Sequence, residues 1–214
     1  MTYIEYVNNV LVRLREERVT DVAGSDDNVV QLVAALVNDA RRQVASAHRW
    51  NAYRETWIVP TIASNDKVAL TDAGKYATIE SIYGPQGQEI RLRSLSELQR
   101  LAAQGGVDND PLYYSPNGLD GSGDLRLQLY PTPDAVINLT VNGFKQPTDL
   151  VSDDDVCLLP SQAVFSLAYA LAAAERGEVG GQPTAELFAL AQRDVSDAIA
   201  LDASLNTLDD VWYS

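Results

Sequence analysis

The chain has 214 residues, 46% of them hydrophobic, and a net charge of −14 from 16 basic and 30 acidic side chains. This length and composition predict one folded domain, or one domain with a sizeable insertion, and argue against wholesale disorder. No apolar run approaches the roughly 20 residues that cross a bilayer. The N-terminal stretch also lacks the pattern of a signal peptide, so we expect a soluble protein kept in the cytosol.

The acidic excess is concentrated toward the C-terminus. Residues 1–54 hold seven basic and seven acidic side chains, whereas residues 151–214 hold two basic and eleven acidic ones. A protein that binds nucleic acid needs Lys and Arg to displace counterions from phosphates, so direct DNA or RNA binding is disfavoured. The acids either keep the protein soluble or form a wall past which DNA slides without sticking, and both interpretations stay open.

Two helices are predicted at the N-terminus. The first carries an apolar stripe at positions 4, 7, 11 and 14, and Thr2 with Glu5 has the spacing of a capping box. The second runs from about residue 28 to about residue 51, with Asp26 or Asp27 as its cap. Because the connection between them is short, the two helices are predicted to form an antiparallel pair.

From residue 55 the pattern changes to that of short strands. The predicted strands are Thr56–Val59, Lys67–Leu70, Tyr76–Tyr83, Glu89–Arg93, Leu125–Tyr130 and Val136–Phe144. A short helix is predicted over Ser94–Gln104, capped by Ser94 or Ser96. The Pro and Gly residues between this helix and residue 125 predict a long loop. The middle of the chain is therefore interpreted as a small antiparallel β module.

Helical patterns return near the C-terminus. One helix is predicted from Pro160 to near Gly177, and another begins at Pro183 or Thr184. The last dozen residues lack a helical period. The sequence therefore predicts an α+β fold: a bundle of about four helices from residues 1–54 and 155–202, a β-rich insertion at 55–154, and an extended tail at 203–214.

The residue types that carry chemistry are scarce. His48 is the single histidine and Cys157 the single cysteine, so one chain cannot build an ordinary zinc site. We interpret His48 as a helix-end residue beside Trp50, with a general base as the alternative, and Cys157 as a small core residue. Residues 153–155 are three acids, interpreted as a solvated charge run, with a hard-cation site as the alternative. We expect no catalytic residue, cofactor or metal.

Two aromatic clusters are candidates for partner binding, because aromatic residues are enriched at interfaces. A tail without helical period has little reason to carry Trp212 and Tyr213 unless they dock, either on a neighbouring subunit or partner or, as the alternative, back on the same chain. The predicted site for a partner protein or a neighbouring subunit consists of Leu208, Val211, Trp212 and Tyr213. Tyr113 and Tyr114, in the predicted loop, are candidates for contact with a partner protein.

The order of the segments resembles the head-to-tail adaptor proteins of tailed bacteriophages, including the tail tubular A and tail accessory factor types. The matching stretches are Tyr6-Val7-Asn8, Leu14-Arg15-Glu16, residues 36–42, His48-Arg49-Trp50, residues 129–134, Leu158-Leu159-Pro160 and residues 174–178. None of them is a catalytic signature. Their order along nearly the whole chain carries the resemblance.

The resemblance implies a virion protein, assembled in the cytoplasm of the host bacterium, that is not an enzyme. Copies are expected to form a dodecameric ring beneath the portal, extend the channel for double-stranded DNA without binding it specifically, and attach a tail nozzle, tube or fibres. One alternative is an adaptor that also hydrolyses murein, which needs two carboxyls about 5–10 Å apart across a cleft. Another is a carbohydrate-binding or fibre-docking β module that uses Tyr113 and Tyr114.

Overall fold

The computed structural model describes residues 1–105, 109–177 and 182–205. Within them, the chain is mixed α+β with five α-helices and two small sheets, so the predicted α+β class is confirmed. The helices are α1 Tyr3–Arg13, α2 Asn28–Ala47, α3 Leu95–Ala103, α4 Ser161–Glu175 and α5 Gln182–Ala203. The strands are β1 Arg54–Pro60, β2 Lys67–Ala69, β3 Thr78–Tyr83, β4 Arg91–Leu92, β5 Tyr113–Leu119, β6 Leu125–Tyr130 and β7 Asn138–Phe144.

The chain divides into two compact units. The helical unit comprises Met1–Ala52 and Pro147–Ser214, and the β unit comprises Tyr53–Gln146. The helical unit contains α1, α2, α4 and α5, whereas the β unit contains all seven strands and α3.

Helix α4 is the centre of the helical unit, where it contacts α1, α2 and α5. Its buried side chains are small, because alanines occupy positions 163, 168, 170, 172 and 173. Helix α1 begins with the predicted capping box: the Thr2 side chain accepts from the Glu5 N–H, and the Glu5 carboxylate accepts from the Thr2 N–H at 2.8 Å. Asp27 caps α2 by accepting from the Val29 N–H at 2.8 Å.

The irregular segments of the helical unit are held by single polar side chains. Asn8 on α1 donates to the Val19 carbonyl and accepts from the Val19 N–H, at 2.9 and 2.8 Å. Asn38 on α2 exchanges the same pair of bonds with Leu150, at 3.0 and 2.9 Å. Each amide thus satisfies the backbone of a segment that has no regular hydrogen-bonding partner.

The β unit packs two sheets around one apolar core. The strand orders are β1-β7-β3 and β2-β6-β5-β4. The core residues come from both sheets and the loops beside them: Trp57, Val59, Val68, Leu70, Ala73, Ile82, Ile90, Tyr114, Leu127, Leu129, Leu139 and Val141. Strand β7 lies between β1 and β3, and a Cβ atom at its Gly143 would lie 2.3 Å from the Thr78 carbonyl oxygen. Glycine is therefore required at position 143.

The prediction of a long loop before residue 125 is wrong, because residues Tyr113–Leu119 within it form strand β5. Strand β5 pairs antiparallel with β6 but parallel with β4, so the β unit is not purely antiparallel as predicted. Pro116 is tolerated because β4 pairs only with Tyr113 and Tyr114, which leaves Pro116 with one neighbouring strand. A register shift between Pro116 and Leu119 accommodates the turn-forming residues.

Candidate partner-binding surfaces

The predicted tail site (Leu208, Val211, Trp212 and Tyr213) lies outside the described residues. The structure does describe the segment from which this tail departs, at the end of α5. Leu201 and Leu205 are there 71% and 73% exposed. Two large apolar side chains this exposed, beside a stretch that ends in aromatic residues, form a candidate surface for a partner.

Asp202 fixes the end of α5 to the end of α2. Its Oδ2 atom lies 3.0 Å from Nε2 of His48 and accepts from the Asn51 N–H at 3.1 Å. The Asn51 side-chain amide donates to the Asp202 carbonyl oxygen at 3.1 Å. We name these three residues, His48, Asn51 and Asp202, the α5 clamp. It holds the last described turn of α5 against the end of α2.

The interpretation of His48 as a helix-end residue beside Trp50 is confirmed. The two rings meet edge to face with centroids 5.1 Å apart, and the Trp50 Nε1–H donates to the Val44 carbonyl at 2.8 Å. Sequence reasoning missed Asp202, because it lies 154 positions from His48 and nothing in its local pattern distinguishes it from the other acids of the C-terminal third.

A groove lies between α1 and the start of α4, with a volume of about 290 Å³. It is lined by Met1, Asn9, Val12, Arg13, Ser161, Gln162 and Phe165. Val12 is 45% exposed. The Arg13 guanidinium lies 5.7 Å from the centroid of the Phe165 ring, which in turn stacks on Tyr169 with centroids 6.5 Å apart. Methionine, arginine and aromatic residues are the types enriched at protein interfaces.

Tyr113 and Tyr114 lie in β5 and not in a loop. Tyr114 belongs to the core of the β unit and is 6% exposed, so it cannot face a partner as predicted. Burial, together with the negative charge of Glu89, raises the pKa of the Tyr114 hydroxyl. Tyr113 is half-buried, with the Arg93 guanidinium 5.2 Å from its ring centroid. Of this pair, Tyr113 stays a candidate contact.

Two of the three acids at 153–155 accept hydrogen bonds from backbone N–H groups. Asp153 accepts from the Val22 N–H at 3.1 Å. Asp155 accepts from the N–H groups of Val151 and Ser152 at 2.7 and 2.8 Å, and these two bonds lower the pKa of its carboxyl. Within the described residues no group of three or more His, Cys, Asp or Glu side chains is placed to hold a metal ion. Cys157 is buried, so its interpretation as a core residue is confirmed.

Comparison with protein families places the chain among the bacteriophage head-to-tail adaptors. The matching model is that of the SU10 adaptor protein, and it covers residues 1–211, so the chain belongs to this family. A search of curated proteins finds no match. Along 1–105, 109–177 and 182–205, every helix is too short or too polar to span a bilayer.

Proposed function

We propose that the chain is a structural subunit of a head-to-tail adaptor, copies of which form a dodecameric ring beneath the portal. The observation that carries this proposal is the family match over residues 1–211. In this proposal residues 1–54 and 155–202 form one bundle, and residues 55–154 are an insertion that offers an attachment surface, including Tyr113, to a tail nozzle, tube or fibres. The subunit is assembled in the host cytoplasm and retained in the virion.

The acidic charge supports a role as a channel wall. The net charge is −14, and residues 151–214 carry nine more acidic than basic side chains, from eleven minus two. A wall of this sign repels phosphates and leaves double-stranded DNA free to slide. We propose that the exposed acids of residues 151–202 face the lumen of the ring. A map of the assembled ring with these residues on its outer rim would contradict this assignment.

The tail residues 208–214 attach the subunit to the portal or to a neighbouring subunit. The α5 clamp supports this role, because it holds the start of the tail in one place while Leu201 and Leu205 remain exposed beside it. Because the end of α5 is already held in place, less conformational entropy is lost when the residues after it bind.

The decisive experiment mixes the purified full-length chain with portal rings of its own phage and measures the mass by size exclusion with light scattering. We expect a complex of fixed stoichiometry. Deletion of residues 208–214 is expected to abolish that complex and to leave the circular dichroism spectrum and melting temperature unchanged. A chain that does not form a complex with the portal ring would refute the proposal.

The alternatives are tested on the same preparation. Clearing of a murein suspension, lost on a single acid-to-amide change, would indicate a hydrolase. Binding of cell-wall sugars by the full chain, lost on Tyr113→Ala, would indicate a carbohydrate-binding module. Because Tyr114 is buried, the two tyrosines cannot form the stacking pair that this module was predicted to use.

A further inference from the structure

The groove between α1 and α4 adjoins a second depression, and we name the two together the α1–α4 track. The second depression has a volume of about 520 Å³ and is lined by Met1, Ile4, Glu5, Asn8, Asn9 and Arg18. Both include Met1 and Asn9, so they adjoin along one face of α1. An elongated track of this kind fits an extended peptide better than a compact ligand.

The track combines positive charge with apolar contact area. Arg13 and Arg18 are both exposed. Among the described residues, neither has a carboxylate within the 4.0 Å of an ion pair, and Arg13 lies instead over the Phe165 ring. Met1 and Val12 add apolar surface that is 39% and 45% exposed. A matching peptide therefore carries acids next to large apolar side chains.

Such a peptide occurs in this chain. Residues 209–213 read Asp-Asp-Val-Trp-Tyr, with two acids followed directly by three apolar or aromatic residues. Over residues 151–214 the basic side chains are Arg176 and Arg193, whereas residues 1–54 carry seven. Residues 55–150 also carry seven basic side chains but twelve acidic ones, whereas residues 1–54 balance seven basic against seven acidic side chains. The acids at 209 and 210 therefore meet the least net negative charge on the first 54 residues, where the track lies.

The acids at 209 and 210 can reach the track of a second copy more easily than the track of their own chain. Asp194 on α5 accepts from Gln162, at the entrance of the groove, at 3.0 Å. From Asp194 the chain runs on to Leu205, about 16 Å away from that contact at helical rise. The four residues from Leu205 to Asp209 span at most about 14 Å. To approach its own Arg13, the chain would have to reverse along α5 fully extended, whereas the track of a second copy imposes no such condition.

We propose that residues 209–213 of one copy bind in the α1–α4 track of a neighbouring copy, with Asp209 and Asp210 paired to Arg13 and Arg18, and the aromatic residues against Met1, Val12 and Phe165. This inference rests on the proposed function, because a closed ring needs a donating and a receiving surface on each copy. It assigns the tail to the contact between subunits.

The test uses the full-length chain carrying V12C and Y213C, assembled with the portal ring and oxidised. Cys157 is buried, so the unmodified chain is the background control. We expect a ladder of covalent oligomers on a non-reducing gel. The matched control carries V151C and Y213C, since Val151 is 70% exposed but lies outside the track, and it is expected to give no ladder.

Charge exchange provides the second arm. R13E with R18E is expected to reduce the yield of covalent oligomers about fivefold, the upper range for an exposed charge pair. Adding D209R and D210R to the same chain is expected to restore the yield. Circular dichroism of each variant verifies that the fold is retained.

Each other outcome overturns the inference in a distinct way. A V12C–Y213C bond within one chain, seen as a monomer that migrates faster, would place the tail on its own groove. Portal complexes that form normally but give no cross-link would assign the tail to the portal and leave the proposed function intact. Failure of the unmodified chain to join the portal would refute both proposals.

Discussion

The helical unit and the β unit both bury apolar side chains, but their segments are joined by different kinds of polar contact. In the helical unit, segments far apart in sequence are tied by one polar side chain at a time: Asn8 to Val19, Asn38 to Leu150, and Asp202 to Asn51. In the β unit, continuous strand pairing surrounds one apolar core shared by both sheets. A defect in a tie is local, whereas a defect in a shared core affects every strand that contributes to it.

This difference suits a protein that works through its surfaces. The ties of the helical unit lie where irregular segments meet helices, including the α5 clamp from which the tail departs. Such segments open at lower free energy than a core does. We therefore expect the irregular segments of the helical unit to open more readily than the core of the β unit.

The largest effect is expected from Leu127→Ala. Leu127 is fully buried between the two sheets, and truncation of a buried leucine costs about 2–5 kcal/mol of unfolding free energy. The matched control is Leu119→Ala, because Leu119 is 42% exposed on the neighbouring strand β5. Urea denaturation followed by tryptophan fluorescence measures both. Equal losses in the two variants would contradict a single apolar core.

Gly143→Ala is expected to be the next most destabilising change, by about 1–3 kcal/mol. The added Cβ atom would meet the Thr78 carbonyl oxygen at 2.3 Å, and backbone cannot turn aside as a flexible side chain can. In Gly121→Ala the added Cβ has no described neighbour within 4 Å, so this control is expected to unfold like the unmodified chain. A Gly143→Ala variant of unchanged stability would show that β3 and β7 are less closely apposed.

Asp202→Ala tests whether a defect in the α5 clamp stays local to the end of α5. It removes the acceptor of His48 and Asn51, and bonds of this kind are worth about 1–3 kcal/mol. We expect faster amide exchange in the last turn of α5, with protection in the β unit unchanged. Asp197→Ala is the control, because Asp197 is exposed on the same helix. Loss of protection in β7 would mean that the tie is not local.

The smallest effect is a pH dependence at Asp155. Two backbone N–H bonds lower the pKa of its carboxyl in the folded state, so the folded pKa lies below the unfolded value of about 3.9. The stabilisation is therefore present above that value and is lost as the pH falls through the folded pKa. Asp155→Asn is expected to lower the melting temperature at pH 7, and its difference from the unmodified chain is expected to shrink as the pH falls below about 3.9. Asp154→Asn, an exposed neighbour, is the control and is expected to leave the melting temperature at pH 7 unchanged.

The helices could be predicted because their signals are local. The capping box of Thr2 and Glu5 and the apolar stripe of α1 lie within fourteen residues, and both occur in the structure. Ser94 likewise caps α3, and its Oγ accepts from the Glu97 N–H at 3.3 Å. Local signals of this kind survive in any tertiary context.

Strand β5 and the partner surfaces could not be predicted in this way. The Pro and Gly residues of β5 indicate a loop, and only the shortness of β4 makes Pro116 acceptable there. The side chains of α1 at 9, 12 and 13 are simply the outer side of a helix until α4 places Phe165 beside them. The α5 clamp joins residues more than 150 positions apart. The tail site stays a prediction, since its residues lie outside those described.

The alanines of α4 have a consequence for the evolution of this adaptor. Small side chains allow neighbouring helices to approach toward the short end of the usual 8–10 Å between helix axes, and α4 has α1, α2 and α5 around it. A larger residue at position 163, 168 or 170 would displace neighbouring helices, and with them the surfaces they carry. We therefore expect related sequences to have small residues at these positions, while the exposed residues of α1 and α5 vary with the proteins that they bind.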